Sequence, residues 1–337
     1  MEFATARIAV IGAGMAGAAC ATALQAVGRS VSLFDKGRGP GGRMSARSVT
    51  VGEDIVRFDH GAQYFTARNS GFRAQVAAWH ARGIVAPWPA AGAGAWVGTP
   101  AMNRPVATLC TALDVTFQAH VSGLRRDPSG WRLNGEGVDS GPYAQVVIAA
   151  PAEQAAGLLA DIDGVSDQCL VDPALFERIQ ATRSEPCWTV MAVWESPLAF
   201  SLDTYRGAGD IIWAARNSAK PGRSGPEAWV IQASPVWSRA HRGADPAEVC
   251  ADVLRLFAET CRVPVPTPAF VQAHSWLYAR SGSLGQACIW DAGLGLGVCG
   301  DWLIGPRVEA AWLSGTSLAA EMNGVYVNTA STGRRAE

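Results

Sequence analysis

Residues 7–43 read RIAVIGAGMAGAACATALQAVGRSVSLFDKGRGPGGR. The apolar run Ile8 to Ile11 leads into Gly12-Ala13-Gly14-Met15-Ala16-Gly17. An alanine-rich segment follows, and a second apolar run ends at Asp35. This order predicts a strand, a tight glycine turn, a helix and a parallel strand. Glycines at 12, 14 and 17 let the backbone approach a pyrophosphate, and the helix start, Met15 and Ala16, presents free N–H groups to it. An acid at the end of the second strand accepts hydrogen bonds from ribose hydroxyls, which is the expected role of Asp35. The ligand class is therefore a dinucleotide. The same apolar segment behind Arg7 resembles a secretory leader, but the glycine fingerprint accounts for it.

The stretch continues past Asp35 with Lys36, Arg38 and Gly41-Gly42-Arg43-Met44. It resembles the glycine-glycine-arginine extension of FAD enzymes in the glutathione-reductase and amine-oxidase superfamily. The resemblance implies that Lys36, Arg38, Gly42, Arg43 and Met44 help hold FAD, with the arginine on its diphosphate, as suits a planar guanidinium. A second block, residues 293–320, holds an apolar strand ending at Gly300-Asp301 and a helix opening after Pro306. In that superfamily such an acid binds the ribityl chain. The helix start, here Arg307, Val308 and Ala311, faces the pyrimidine edge of the flavin and favours negative charge there. Val308, Ala311, Trp312, Gly315, Leu318 and Met322 recur at helical spacing and are expected in the core. Leu124 to Val138 reads as a hairpin around a Pro-Ser-Gly turn, and Val121 matches the strand that clamps adenine.

Further words narrow the resemblance. Asp59-His60-Gly61-Ala62-Gln63-Tyr64-Phe65-Thr66-Ala67-Arg68, Trp96-Val97-Gly98, Trp276 to Arg280 and Cys299-Gly300-Asp301-Trp302 look like a bacterial renalase. The likeness runs over about residues 7–322. It implies oxidation of dihydro-NAD(P) isomers carrying hydride at ring position 2 or 6. Hydride passes to flavin N5, NAD(P)+ leaves, and O2 reoxidises the flavin to give hydrogen peroxide. Gly61, Ala62, Gln63 and Tyr64 would meet the cofactor, the last two beside its ring. Phe65, Thr66, Ala67, Arg68 and Asn69 would lie near the substrate. Gln63, Tyr64 and Trp302 would position the reacting rings, Trp302 as part of the nicotinamide pocket. Asn69 stands where an acid is expected in this family, and Gln232 where a histidine is usual.

The residues themselves fit such chemistry. Restoring aromaticity drives the hydride step, so ring stacking matters more than a general base. The chain has thirteen tryptophans. Most are expected in the core, with Trp96, Trp188, Trp276 and Trp302 as candidate pocket walls. It has only two lysines, Lys36 and Lys220. Amine oxidases of the superfamily hold a lysine near flavin N5 through a water. Lys220, in the polar segment Arg216 to Gly222, reads as a surface loop, which argues against amine oxidation. An amine oxidase, another small-molecule flavin enzyme and a non-enzymatic redox sensor stay as alternatives. Arg68, Arg216, Arg280 and Arg307 are candidates to meet substrate phosphate.

The five histidines and eight cysteines show no metal-ligand spacing, so no metal is expected. With no leader, the cysteines are expected reduced and the protein cytoplasmic. FAD should be non-covalent, because no attachment motif surrounds Cys299. A net charge of −1 marks neither nucleic acid nor a membrane surface as partner. The chain is long enough for two interleaved lobes. The expected fold class is α/β: a Rossmann-type FAD-binding domain with an inserted α+β substrate domain, in a p-hydroxybenzoate-hydroxylase-like arrangement. The FAD domain is expected over 1–70, 97–165 and 285–325, the substrate domain over 71–96 and 166–284, and a frayed tail over 328–337. Within the insert, Thr189 to Trp194 and Ala228 to Ala233 read as strands and Pro246 to Cys261 as a helix.

Overall fold

The computed structural model describes residues 6–160, 162–163, 172–262 and 264–324. The expected frayed tail, 328–337, lies outside them. The chain divides into two compact units, Met1–Gly42, Leu109–Arg183 and Ser281–Glu337 in one, Arg43–Thr108 and Ser184–Arg280 in the other.

The first unit is built on the strand Ile8–Ile11, buried along its whole length. It pairs in parallel with Val31–Asp35 on one side and Gln145–Ile148 on the other. Asp114–Phe117 extends the sheet in parallel beyond Val31–Asp35. Leu296–Val298 does the same beyond Gln145–Ile148, and Ile289–Asp291 closes that edge antiparallel. Continuous apolar, β-branched runs suit strands covered on both faces, so the pattern read from the sequence has its physical cause here. The expected hairpin is present as His120–Asp127 and Gly130–Glu136. Its turn is held by Asp127, which accepts from the backbone N–H of Ser129 (2.8 Å) and from Arg132 Nε (2.8 Å). Val138–Tyr143 adds a third antiparallel strand.

In the second unit, five strands run in the order Thr204–Arg206, Ile211–Arg216, Glu227–Ala233, Ser184–Trp194, Phe270–Ser281. The two strands read from the sequence pair antiparallel, Val190 opposite Ile231. Alternation sorts their side chains between two apolar layers. Val190, Ala192, Trp194, Trp229 and Ile231 share a core with Val249, Val253 and Phe257 of the helix Pro246–Cys261. Met191, Val193, Ala228 and Val230 face Val56 and Phe58 instead. The helix begins where expected, with Asp245 accepting from Ala247 N–H at 2.7 Å and proline at its first position.

Two assignments differ from those expected. Residues 43–70 and 97–108 group with the second unit. The hairpin Arg47–Val51 and Asp54–Phe58 carries Val56 and Phe58 onto the sheet of that unit, a pairing no local pattern announces. The helix Pro173–Ala181 belongs to the first unit, because Ile179 packs into the core of Leu158, Leu159 and Trp302.

Candidate functional site

In the first unit the glycine turn is a close-packed cradle. Gly12 has φ +114°, and a Cβ there would lie 2.5 Å from Ala149 O. A Cβ on Gly17 would lie 2.0 Å from Gly12 O, so the helix Met15–Ala26 sits hard against the turn. Around Gly14 the space is open, with no atom within 4 Å of a Cβ position, and no side chain caps the helix start. Gly42, φ +54°, passes with its Cβ direction 3.3 Å from Gly14 Cα. Unspent helix N–H groups beside open space are what a phosphate requires. Asp35 is braced at both oxygens, accepting from Ala13 N–H and Gly37 N–H at 2.6 Å each. Lys36 and Arg38 are exposed. Ala119 donates to Asp35 O, which sets the strand of Val121 beside the ribose acid, although the Val121 side chain is buried.

At the other block, Gly300 N–H donates to Ser314 Oγ at 2.9 Å. Asp301 is buried and opens the short helix Asp301–Ile304. Arg307, exposed, precedes the helix Val308–Met322 as expected. Two expectations change. Trp302 is fully buried, donating its indole N–H to Ala150 O at 3.0 Å, and is a core residue rather than a pocket wall. On the helix, Glu309, Ala310 and Ser314 are buried while Val308 and Trp312 are only half-buried. Cys299 is also buried, its thiol pushed up by a bond to Cys20 and by burial, which leaves it unreactive toward attachment.

In the second unit the word Asp59 to Tyr64 organises a buried polar cluster. Asp59 is wholly buried, and its carboxylate accepts from Met102 N–H (2.8 Å), Lys220 Nζ (3.1 Å) and Arg223 Nη2. Burial opposes ionisation of Asp59, but Lys220, Arg223 and the Met102 N–H outweigh it and hold its pKa below the usual carboxylate value. Lys220 also donates to Gln63 Oε1 at 3.1 Å and lies 5.1 Å from the Trp88 ring centre. The surface-loop reading of Lys220 is overturned: the residue is 2 % exposed. Burial lowers its pKa to about 8, Asp59 opposing and Arg223 adding to the shift. Gln63 is fixed from both ends of its amide, since Nε2 donates to the carbonyls of Asp59 and Gly61. Gln232 reaches the same Gly61 carbonyl at 3.0 Å. Gly61 is required there, for a Cβ would lie 2.0 Å from Arg43 O. Ala62 N–H donates to that Arg43 carbonyl at 2.9 Å.

Tyr64 is half-buried and stacks obliquely on Trp213, ring centres 5.4 Å apart. Arg206 donates to Tyr64 Oη at 2.7 Å and covers both rings. Sequence reasoning missed Arg206, Arg223 and Asp59 as partners, because the links span more than 140 residues. Phe65 is buried against Phe72 and serves packing. Thr66 and Ala67 are half-buried and Arg68 is exposed. Asn69 caps the helix Ser70–Ala81, its Oδ1 accepting from Gly71 and Phe72 N–H, a role an acid would fill as well. Trp96 is half-buried against His80. Trp276 is half-buried and donates to His60 O at 2.8 Å. Trp188 is buried, bonded to His241 O and packed in the helix-side core, which removes it as a pocket wall. Arg216 is consumed by Asp203 (2.7 Å), Glu227 (3.0 Å) and Phe200 O (2.6 Å), so it is not a phosphate ligand. His60, pushed down to about 3 by burial, by His274 and by Arg47, is neutral and a weak base.

Residues 10–78 match the NAD(P)-binding Rossmann-like domain. Residues 90–323, well over half of the chain, match the family of flavin containing amine oxidoreductases. The chain belongs to that family. Its fold is shared with a putative protoporphyrinogen oxidase from Exiguobacterium sp. 255-15 at TM-score 0.70 and 10% identity, over 95% of this chain and 99% of that one. Cyclohexylamine oxidase from Brevibacterium oxydans IH-35A superposes at TM-score 0.62 and 13% identity, over 95% and 99% of the two chains. A curated relative is the tRNA 5-methylaminomethyl-2-thiouridine biosynthesis bifunctional protein MnmC of Magnetococcus marinus. It is 32% identical over 200 residues, 43% of this chain, and the match spans only 29% of that protein's length. As a flavin containing amine oxidoreductase the protein is an FAD-dependent oxidoreductase. The open, uncapped turn at Gly14, the crossing of Gly42 above it and the braced Asp35 fit the diphosphate and ribose of FAD. Among the described residues no helix is long and apolar enough to cross a membrane, and no histidine, cysteine and carboxylate group is placed to hold a metal.

Proposed function

We propose that the protein oxidises dihydronicotinamide dinucleotides carrying hydride at ring position 2 or 6, returning NAD(P)+ and passing the electrons to dioxygen. The observation that supports this most is the balance of charge around Gln63 and Tyr64. Asp59 is the one carboxylate bonded into the cluster among the described residues, against Lys220, Arg223 and the rim residue Arg206. Surplus positive charge attracts a substrate that carries a diphosphate and repels a protonated amine.

FAD, when bound, supplies the two-electron acceptor that dioxygen reoxidises. The rest falls to side chains that hold still. Gln63 has both ends of its amide bonded, so its orientation is set before substrate arrives. Tyr64 is propped by Trp213 and Arg206 and offers a rigid aromatic surface. Such preorganisation suits a reaction whose driving force lies in the substrate and whose barrier lies in alignment. The weak base His60 takes no proton in this scheme.

Amine oxidation is the second reading. A surface position for Lys220 would disfavour it, and Lys220 is instead buried beside Gln63. One experiment separates the two. The purified holoprotein is mixed without oxygen with borohydride-treated NAD+, which contains the 2-, 4- and 6-dihydro isomers. Loss of the visible flavin band with the mixture but not with pure 4-dihydro NADH, and its return in air with peroxide, is the expected result. Bleaching by a panel of primary amines and not by the mixture would establish the second reading and end the first.

A further inference from the structure

We propose that Arg206 selects for phosphate in the substrate, holding the phosphate of a nicotinamide nucleotide whose other end lies at Tyr64. The proposal rests on the dinucleotide reading above and names a contact within it.

Arg206 ends the strand Thr204–Arg206, directly opposite Trp213 on the neighbouring strand. Its guanidinium lies 5.1 Å from the Trp213 ring centre and 5.7 Å from that of Tyr64, and one nitrogen donates to Tyr64 Oη. Two rings and a hydroxyl hold the plane of a side chain that is otherwise costly to order. Arg206 is exposed and has no ion pair among the described residues. The contrast with Arg216 on the same pair of strands is informative. Arg216 is covered on three sides by Asp203, Glu227 and a carbonyl, and its charge is neutralised within the protein. Arg206 keeps its charge and most of its five donors for a ligand. A fixed guanidinium edge matches two phosphate oxygens, which an ammonium group matches poorly. The indole N–H of Trp213 is buried with no acceptor among the described residues.

The diphosphate bridge, the phosphate next to the nicotinamide ribose and a 2′-phosphate share this chemistry. Calorimetric binding of NAD+, NADP+, nicotinamide mononucleotide, nicotinamide riboside and inorganic diphosphate to the holoprotein tells them apart. Arg206→Ala should weaken the phosphate-bearing ligands by about 10- to 100-fold, the range for charged hydrogen bonds, and leave the riboside unchanged. Loss for both dinucleotides but not the mononucleotide assigns the diphosphate bridge. Loss for the mononucleotide too assigns the nearer phosphate, and loss for NADP+ alone the 2′-phosphate. Arg206→Lys, which keeps charge but not the planar edge, should fall between, and it serves if the alanine protein does not fold. Equal losses for phosphate-bearing and phosphate-free ligands, or no loss, overturn the proposal. If no nicotinamide compound binds the wild type, the dinucleotide reading fails. Inorganic diphosphate then decides alone: an Arg206-dependent affinity upholds an anion site, and its absence ends it.

Discussion

Lys220 shows what a residue owes to distant neighbours. Its local sequence, Asn217 to Gly222, is polar and turn-rich, and reads as surface. The structure buries it because Asp59 and Gln63, more than 150 residues upstream, meet it in three dimensions. Asp35 was legible by contrast, since the spacing that defines its role lies within one strand-turn-helix-strand unit. The buried lysine leaves a signature in stability. Its pKa is about 8 in the folded chain, against the 10.5 of a lysine in water. Between those values the unfolded chain holds more protons, so the folded state gains stability as pH rises. Lys220→Met removes that gain. The unfolding free energy of the wild type, relative to the variant, should rise by roughly 3 kcal/mol from below pH 8 to above pH 10. Urea titrations across that range measure it, and a flat difference would show that Lys220 is not buried as an amine.

At the scale of elements, the helix Met15–Ala26 that follows the cofactor turn packs against the helix Val308–Met322. Periodicity located the second helix correctly but placed Trp312 in its core. Trp312 is only half-buried, and the buried residues around it are small, Ala310, Ala311, Ser314 and Gly315, while Leu318 and Met322 are buried as expected. A Cβ on Gly315 would lie 2.1 Å from Ala16 O and 3.1 Å from Cys20 N. Those atoms are backbone and have little room to give. Gly315→Ala should cost about 1–3 kcal/mol, as overpacking does, and displace the helix turn that meets the diphosphate. The expected result is a lower melting temperature together with a lower ratio of flavin to protein absorbance. A stable variant with full FAD content would show that the helices separate freely.

The whole molecule is threaded so that the first unit takes three chain segments and the second takes two. The start of the Rossmann sheet was readable, because apolar runs at Ile8–Ile11 and Val31–Asp35 flank the glycine turn, whereas Asp114–Phe117, with alternate residues exposed, carries no such run. The allotment of 43–70 and 97–108 was not, since it depends on which sheet a short hairpin meets. Asp59 and Gln63 come from one chain segment of the second unit and Lys220 and Arg223 from the other, so joining the two segments and burying that cluster are one event. The chain carries two lysine side chains, one exposed at Lys36 and one sealed at Lys220. An amine-reactive ester therefore keeps time. Lys36 is acylated in the native protein at once, and Lys220 only in the moments when the second unit comes apart. The ratio of the two labelling rates, read from peptide masses, reports the fraction of molecules open at any instant. Equal rates would mean that the unit stands open in solution.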